Sequence, residues 1–430
     1  MSHVVILGAG LGGVIMAYEM RDRLGPDDRL TVVNKGARYC FVPSNPWVAV
    51  GWREAKDICV DLAGVFETRG IELRPEGARR VHPERNAVEL NDGEFLPYDY
   101  LVIATGPELA FDEVPGLGPA GHTQSICEID HALAAGRAVK ALMASPGPVV
   151  VGAAAGASCY GPAYEFAFVL DAALRKAKLR DRVPMTFVTP EPYIGHLGLD
   201  GVGDTRGMLE SALRNRHIKW LTNSVITGVE AGRMAVQEFT EDGTPKATHD
   251  LVFALSMILP AFRGVAAVRG IEGLVNPRGF VLVDSHQRNA AFPNVFAIGV
   301  CVAIPPVGQT AIAVGVPKTG FMIESMARAA AANIEALLAG KAPRAEPTLN
   351  AVCLADFGDD GIAFVAEPQI PPRNVNWAAR GAWVHAAKVG FESYFLHKVR
   401  AGEAETFYEK LMLDLVGIHK LKESGTTPAD

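Results

Sequence analysis

Residues 4–13 read Val4-Val5-Ile6-Leu7-Gly8-Ala9-Gly10-Leu11-Gly12-Gly13, an apolar strand that runs straight into glycines at positions 8, 10 and 13. In this G-x-G-x-x-G spacing the first glycine turns the chain, the second lets backbone approach a pyrophosphate, and the third lets the following helix pack on the strand. A second, altered copy stands at Val149-Val150-Val151-Gly152-Ala153-Ala154-Ala155-Gly156-Ala157-Ser158-Cys159. It keeps the strand and the first glycine. Ala154, however, stands where backbone must touch pyrophosphate, and Ala157 replaces the helix-packing glycine. Two such turns on one chain imply two dinucleotide folds, with FAD on the first and NAD(P)H normally on the second. Here the second turn is disabled for a nicotinamide and carries Cys159 instead.

The chain is too long, at 430 residues, for one ordinary core. Net charge is −7 and no basic run favours nucleic acid. Apolar residues make up 49%, yet no run approaches the roughly 18 needed to cross a bilayer, so any membrane contact is expected to be peripheral. The first strand begins at His3 or Val4, which leaves no room for an export signal and implies synthesis and folding in the cytoplasm. Six cysteines, at 40, 59, 127, 159, 301 and 353, show neither C-x-x-C nor metal-ligand spacing. They are too sparse for a secreted scaffold, and any disulfide is expected to be catalytic rather than structural.

Residues 3–35 read as strand, turn, helix (14–23) and strand (30–33). A helix over 61–69, short strands near Glu72, Val81 and Ala87, and the strand Tyr100 to Ala104 follow. The second βαβ unit carries a helix over 164–175 and a strand over 185–189. Beyond Gly264 the chain returns through Phe280-Val281-Leu282-Val283 and Val295-Phe296-Ala297-Ile298-Gly299. The pattern is an α/β fold of two tandem Rossmann-like domains, the second inserted in the first, plus a C-terminal amphipathic helical region. The expected boundaries are 1–110 with 265–340 for FAD, 111–264 for the second domain without a working NAD fingerprint, and 341–430 for the C-terminal region. In that last region Phe407, Tyr408, Leu411, Met412, Leu415 and Val416 form an apolar stripe. With Lys388, Lys398, Arg400, Lys410, Lys420 and Lys422 beside it, the region reads either as an interfacial anchor or as a helix packed on protein.

The FAD assignment rests on three segments. Gly8, Gly10 and Gly13 put a helix N-terminus on the pyrophosphate; Ala104-Thr105-Gly106 passes close to the dinucleotide; and a strand enters the turn at Gly299. Two departures stand out. Asn34 replaces the acidic residue that usually binds the adenosine ribose, and Val300 replaces the aspartate that usually follows Gly299. Cys159 lies just before a helix N-terminus, where dipole and backbone donors lower a thiol pKa. Composition alone leaves Cys159 and Cys353 readable as two buried, inert thiols.

The motifs Phe41-Val42-Pro43-Ser44-Asn45-Pro46-Trp47, Gly156-Ala157-Ser158-Cys159-Tyr160-Gly161-Pro162, Glu191-Pro192-Tyr193-Ile194-Gly195-His196 and Pro317-Lys318-Thr319-Gly320 resemble bacterial sulfide:quinone oxidoreductases over nearly the full length. The resemblance implies FAD held beside a redox pair, Cys159 and Cys353, that takes hydrogen sulfide and builds polysulfide. Electrons then leave to ubiquinone or another membrane quinone. It implies a third cysteine, Cys127, in flavin attachment or sulfur handling, and leaves Cys40, Cys59 and Cys301 structural. His131 and His196 match histidines near the sulfide path, and Glu165 is a weaker acid/base candidate. Pro43 lies in a flavin-side motif, and Lys318 would favour reduced flavin. Phe41, Gly320, Phe321 and Phe391 would wall the quinone site, with Lys388 near a carbonyl. Location on the periplasmic face of the inner membrane is implied, and a homo-oligomer is left open. The alternatives are the flavoprotein subunit of a flavocytochrome c sulfide dehydrogenase and an NAD(P)H-dependent quinone or ferredoxin reductase.

Overall fold

The computed structural model describes residues 1–404 and 420–422. Strand β1 (His3–Leu7) is buried along its whole length, as expected for a continuous apolar run at the centre of a parallel sheet covered on both faces. It leads through the glycine turn into α1 (Leu11–Arg21) and then β2 (Arg29–Val33), β3 (Glu72–Arg74) and β4 (Tyr100–Ile103). After β4 the chain leaves this sheet. It builds a second parallel sheet from β5 (Val149–Ala153), β6 (Met185–Val188), β7 (Ile218–Leu221) and β8 (Leu255–Leu259), with α2 (Gly161–Lys176) between β5 and β6. It then returns at β9 (Val295–Ala297) beside β4. The orders are β9-β4-β1-β2-β3 and β7-β6-β5-β8, so the second Rossmann sheet is an insertion between two neighbouring strands of the first.

Two glycines of the first turn leave no room for a side chain. Gly8 has φ +99°, and a Cβ there would sit 2.5 Å from the Ala104 carbonyl oxygen; one on Gly13 would sit 1.9 Å from the Gly8 carbonyl oxygen. Gly8 is thus fixed by backbone approach and by φ, and Gly13 by backbone approach alone.

Helix α3 (Gly320–Leu338) packs on α1. It is followed by an antiparallel sheet of β10 (Ala351–Asp356), β11 (Gly361–Glu367) and β12 (Val375–Arg380), and by α4 (Trp383–Ala401). Helix α4 rests on β10 and β11 and is tied to the first domain by the Tyr18 hydroxyl, which donates to the Val399 carbonyl at 2.8 Å.

Three expectations are corrected here. Residues 280–283 form no strand; Val281 makes only isolated bridges to Val275 and Val302, so the pairing does not extend into a ladder. The disulfide of this fold joins Cys40 to Cys59, which face each other across the short antiparallel strands Arg38–Cys40 and Cys59–Asp61. The expectation that any disulfide would be catalytic therefore fails: the bonded pair is the two cysteines read as structural, while Cys159 and Cys353 are free. Finally, the basic residues of the C-terminal region do not all face a membrane: Lys388, Lys398 and Lys420 are buried in ion pairs with Glu165 and Glu324, and Lys422 pairs with Glu346. The stripe at 407–416 lies outside the described residues.

Candidate active site

Cys159 stands on the turn after β5, two residues before α2, and Cys353 in the middle of β10. Both carry free thiols, as do Cys127 and Cys301. The fold brings the first three together. Cys353 and Cys127 each feel the charge of Cys159; Cys159 feels Glu165 and Lys318; and Cys353 feels Glu165 and Lys388. Sequence placed these residues on four distant segments, and the α2–β10 contact is what closes the distance. Cys301 sits apart, its thiol directed at the Ile103 and Ile298 carbonyls.

The thiol acidity is the reverse of that expected from the helix N-terminus. Burial pushes the Cys159 thiol up to about 11, with the Gly161 N–H acting weakly in the other direction. Burial likewise pushes Cys353 and Cys127 up to about 12. A few dipoles do not compensate removal of a thiolate from water. Glu165 is raised to about 7, first by burial and against the pull of Lys388, with which it forms a buried ion pair. Lys388 therefore sits on the thiol side through Glu165, and its ammonium also lies 4.9 Å from the Trp47 ring. Lys318 is lowered to about 8 by burial, offset by Cys301 and Cys159, and lies over Phe280 at 5.5 Å.

His196 is buried, accepts from the Gly198 N–H at 3.2 Å, stacks edge-on against Tyr193, and is held below its usual pKa by that burial. His131, on the helix Ile129–Ala144, packs on Phe111 and faces Glu128. Phe41 is buried and joins Phe391 (6.0 Å) and Phe395 (5.7 Å) in one aromatic cluster. A Cβ on Gly320 would meet Leu11 at 3.3 Å and Phe391 at 3.7 Å, so this cluster adjoins the first glycine turn. Phe321 is part-buried beside it at the start of α3, while Pro43 is exposed.

The first turn fits a dinucleotide. Helix α1 has no side-chain cap at Gly10, and a Cβ on Gly10 would meet nothing within 4 Å, which leaves its N-terminal N–H groups and an open approach for a pyrophosphate. Asn34, at the end of β2, has its oxygen accepting from Ala9 N–H at 2.9 Å and its amide donating to the Gly36 carbonyl, so it braces the turn. Gly106 (φ +66°) and Gly299 (φ +76°) shape the two loops at the C-terminal ends of β4 and β9, with Ala104 and Thr105 between β4 and Gly106.

The second turn is covered by the chain. Gly156 N–H donates to the Ala313 carbonyl (3.1 Å) and Gly315 N–H to that of Ala157 (3.0 Å), so residues 313–315 lie where a pyrophosphate would. Glu191, at the end of β6 where a ribose-binding acid belongs, is buried and accepts from Leu197 N–H, the Thr189 hydroxyl and the Tyr164 hydroxyl. Sequence displayed Glu191 within a conspicuous motif but gave it no role; an acid at a second-strand terminus was the available signal.

Two glycine turns on nested parallel sheets define a two-dinucleotide flavoprotein oxidoreductase, and residues 2–315 match the pyridine nucleotide-disulphide oxidoreductase family, a family of FAD-dependent flavoproteins. The chain belongs to that family and, within it, to the sulfide-quinone reductases. It is 40% identical over 423 residues to the sulfide-quinone reductase of Aquifex aeolicus, covering 98% of this chain and 96% of that protein. The crystal structure of the sulfide:quinone oxidoreductase from Aquifex aeolicus superposes with a TM-score of 0.94 at 39% identity, covering 99% and 98% of the two chains. The mitochondrial sulfide:quinone oxidoreductase of Mus musculus is 24% identical over 75% of this chain and 70% of its own length.

Proposed function

We propose that this chain oxidises sulfide at Cys159 and Cys353 and passes two electrons through FAD to a membrane quinone. The balance is HS⁻ + Q + H⁺ → S⁰ + QH₂, with successive sulfur atoms accumulating as polysulfide. The observation that carries the reading is the meeting of Cys159, Cys353 and Lys318, all part-buried, with the buried Glu165–Lys388 pair in one cluster.

In the oxidised pair HS⁻ attacks one sulfur, forming a persulfide and expelling the other as thiolate. A part-buried thiol held at about 11 is a poor leaving group as the anion, so the expelled sulfur takes a proton. Glu165, poised near 7, is the donor, with Lys388 holding it in place. Bound FAD supplies a two-electron acceptor that reoxidises against the quinone; the residues that would hold it are Gly8, Gly10, Gly13, Ala104, Thr105, Gly106 and Gly299, with Lys318 supplying positive charge. Asn34 supports the turn. Phe41, Gly320, Phe321 and Phe391 would take the quinone ring. His196 and His131 would line the sulfide path, and Cys127 would receive or relay sulfur.

The chain works at a membrane surface, where quinones reside, and the stripe at 407–416 is the candidate contact. No helix among the described residues is long and apolar enough to cross a membrane. The Cys40–Cys59 disulfide supports the periplasmic face, since such bonds persist in oxidising compartments.

The test is anaerobic mixing of purified protein with sulfide or with NADH, followed by flavin absorbance. The reading expects bleaching by sulfide alone and recovery on adding decylubiquinone. Bleaching by NADH and not by sulfide would overturn it in favour of an NADH-dependent reductase.

A further inference from the structure

The aromatic cluster proposed for the quinone is built from residues 41–53 and helix α4, and a polar contact between these two segments has no place in the proposed chemistry. Ser44 is fully buried, and its hydroxyl donates to one oxygen of Glu392, itself a buried residue of α4. The other oxygen accepts from Arg53 Nε at 2.9 Å. Both carboxylate oxygens thus meet a donor from the same segment, as an ionised acid requires. Arg53 is the member that reaches solvent, its side chain 26% exposed.

These three residues are bonded directly to the aromatic walls. Glu392 follows Phe391 on α4, and Ser44 N–H donates to the Phe41 carbonyl at 3.1 Å, closing the turn that places Phe41. Phe41 in turn packs on both Phe391 and Phe395, which meet edge-on at 4.5 Å. Phe41 and Phe395 are buried, whereas Phe391 is part-buried. Phe391 therefore presents the free face of the cluster, and the other two rings set its place. Arg53 is held on the clamp by Trp47, whose ring lies 4.7 Å from the guanidinium and whose indole N–H donates to Asp356 of β10 at 2.7 Å. An apolar contact of the same volume would join the segments as firmly as a buried acid, which is costly to desolvate. What the hydrogen bonds add is direction, and with it one fixed spacing between Phe41 and Phe391.

We infer that Ser44, Glu392 and Arg53 are positioning residues, a clamp that holds the Phe41 and Phe391 rings in register and thereby sets the affinity for quinone. The inference rests on the proposed quinone site. With the clamp closed, an incoming ring meets a Phe391 face that is already ordered; with it open, each binding event must also order that face. The clamp acts on binding and carries no electron or proton. It should govern how much quinone is needed, and not how fast reduced flavin is reoxidised at saturation. Lys388, one turn earlier on α4, keeps its own partners Glu165 and Trp47, so the sulfide side should be spared.

The test is stopped-flow reoxidation of dithionite-reduced holoenzyme over a range of decylubiquinone concentrations, with ferricyanide as an acceptor that needs no pocket. Ser44→Ala leaves one oxygen of the buried carboxylate without its donor and should raise the half-saturating quinone concentration about tenfold. Arg53→Gln, at the part-exposed end, should raise it about threefold. In both, the saturating rate, the ferricyanide rate and bleaching by sulfide should stay within about twofold of the parent, a split that a general loss of structure would not give. If Ser44→Ala does not fold, Arg53→Gln decides alone. An unmoved half-saturation in either folded variant, or an equal slowing with ferricyanide, overturns the inference. A parent protein reoxidised by ferricyanide but not by decylubiquinone would instead sink the quinone reading on which the clamp rests.

Discussion

Glu165→Gln is the perturbation that most directly probes how sulfur leaves a buried thiol. With Cys159 at about 11, its thiolate is populated at roughly one part in ten thousand at pH 7, about 5 kcal/mol above the thiol. Expulsion from a disulfide or persulfide without a proton carries that penalty in the rate. Glu165, at about 7, is half protonated at neutral pH and lies about four pH units below the thiol, so proton transfer is downhill. General acids of this kind contribute about 10²- to 10⁴-fold. The glutamine keeps the size but carries no acidic proton, and a stopped-flow trace of flavin bleaching by sulfide should slow by that factor. The sign with pH is also fixed. Expressed per HS⁻, the parent rate should be flat below pH 7 and fall as Glu165 loses its proton above it, while the variant should be slow and flat across that limb. Bleaching in Glu165→Gln within threefold of the parent, with the alkaline limb intact, would refute this reasoning.

Glu191 is raised to about 7 by burial, against the hydrogen bonds of Thr189, Leu197 and Tyr164; a group whose folded pKa exceeds its unfolded value stabilises most at low pH. The parent should therefore lose about 3 kcal/mol as pH climbs from 4.5 to 7, and Glu191→Gln should flatten that part of a thermal-melt series. Gly13→Ala should not retain flavin, because its Cβ would lie 1.9 Å from the Gly8 carbonyl oxygen; a yellow, folded variant would contradict the tight-turn account. Ala154→Gly restores a fingerprint glycine, yet NADH should still fail to bleach the flavin, since Ala313 and Gly315 cover that turn. Opening Cys40–Cys59, which spans 19 residues, by paired serine substitution should lower stability by about 3 kcal/mol in chemical denaturation and leave sulfide bleaching unchanged.

Much of the fold was legible because its signals are local. The run Val4 to Leu7 is uninterrupted and apolar, and the Gly8-Gly10-Gly13 spacing is dictated by backbone contacts within a few residues. The insertion was readable from the return of an apolar strand at Val295. What sequence could not supply was the balance between burial and local dipoles. Cys159 does precede a helix, but its pKa is set by how much protein covers it, and that depends on β10 and α4. Lys388 and Lys398 looked like surface cations because a helix pattern does not reveal that Glu165 and Glu324 wait across an interface. Cys40 and Cys59 are separated by a segment of three short helices, and no periodicity announces the register in which the chain returns. Ser44 and Glu392 share no motif; they lie 348 residues apart, and only folding joins them.

The central claim is that sulfur is carried by Cys159 and Cys353. Anaerobic treatment with sulfide, immediate alkylation and peptide mass spectrometry tests it most directly. The account predicts added sulfur on the peptides of Cys159 or Cys353, and none on Cys40, Cys59 or Cys301. Continued sulfide-dependent quinone reduction with both of those peptides unmodified, or undiminished turnover in Cys159→Ser and Cys353→Ser, would contradict it.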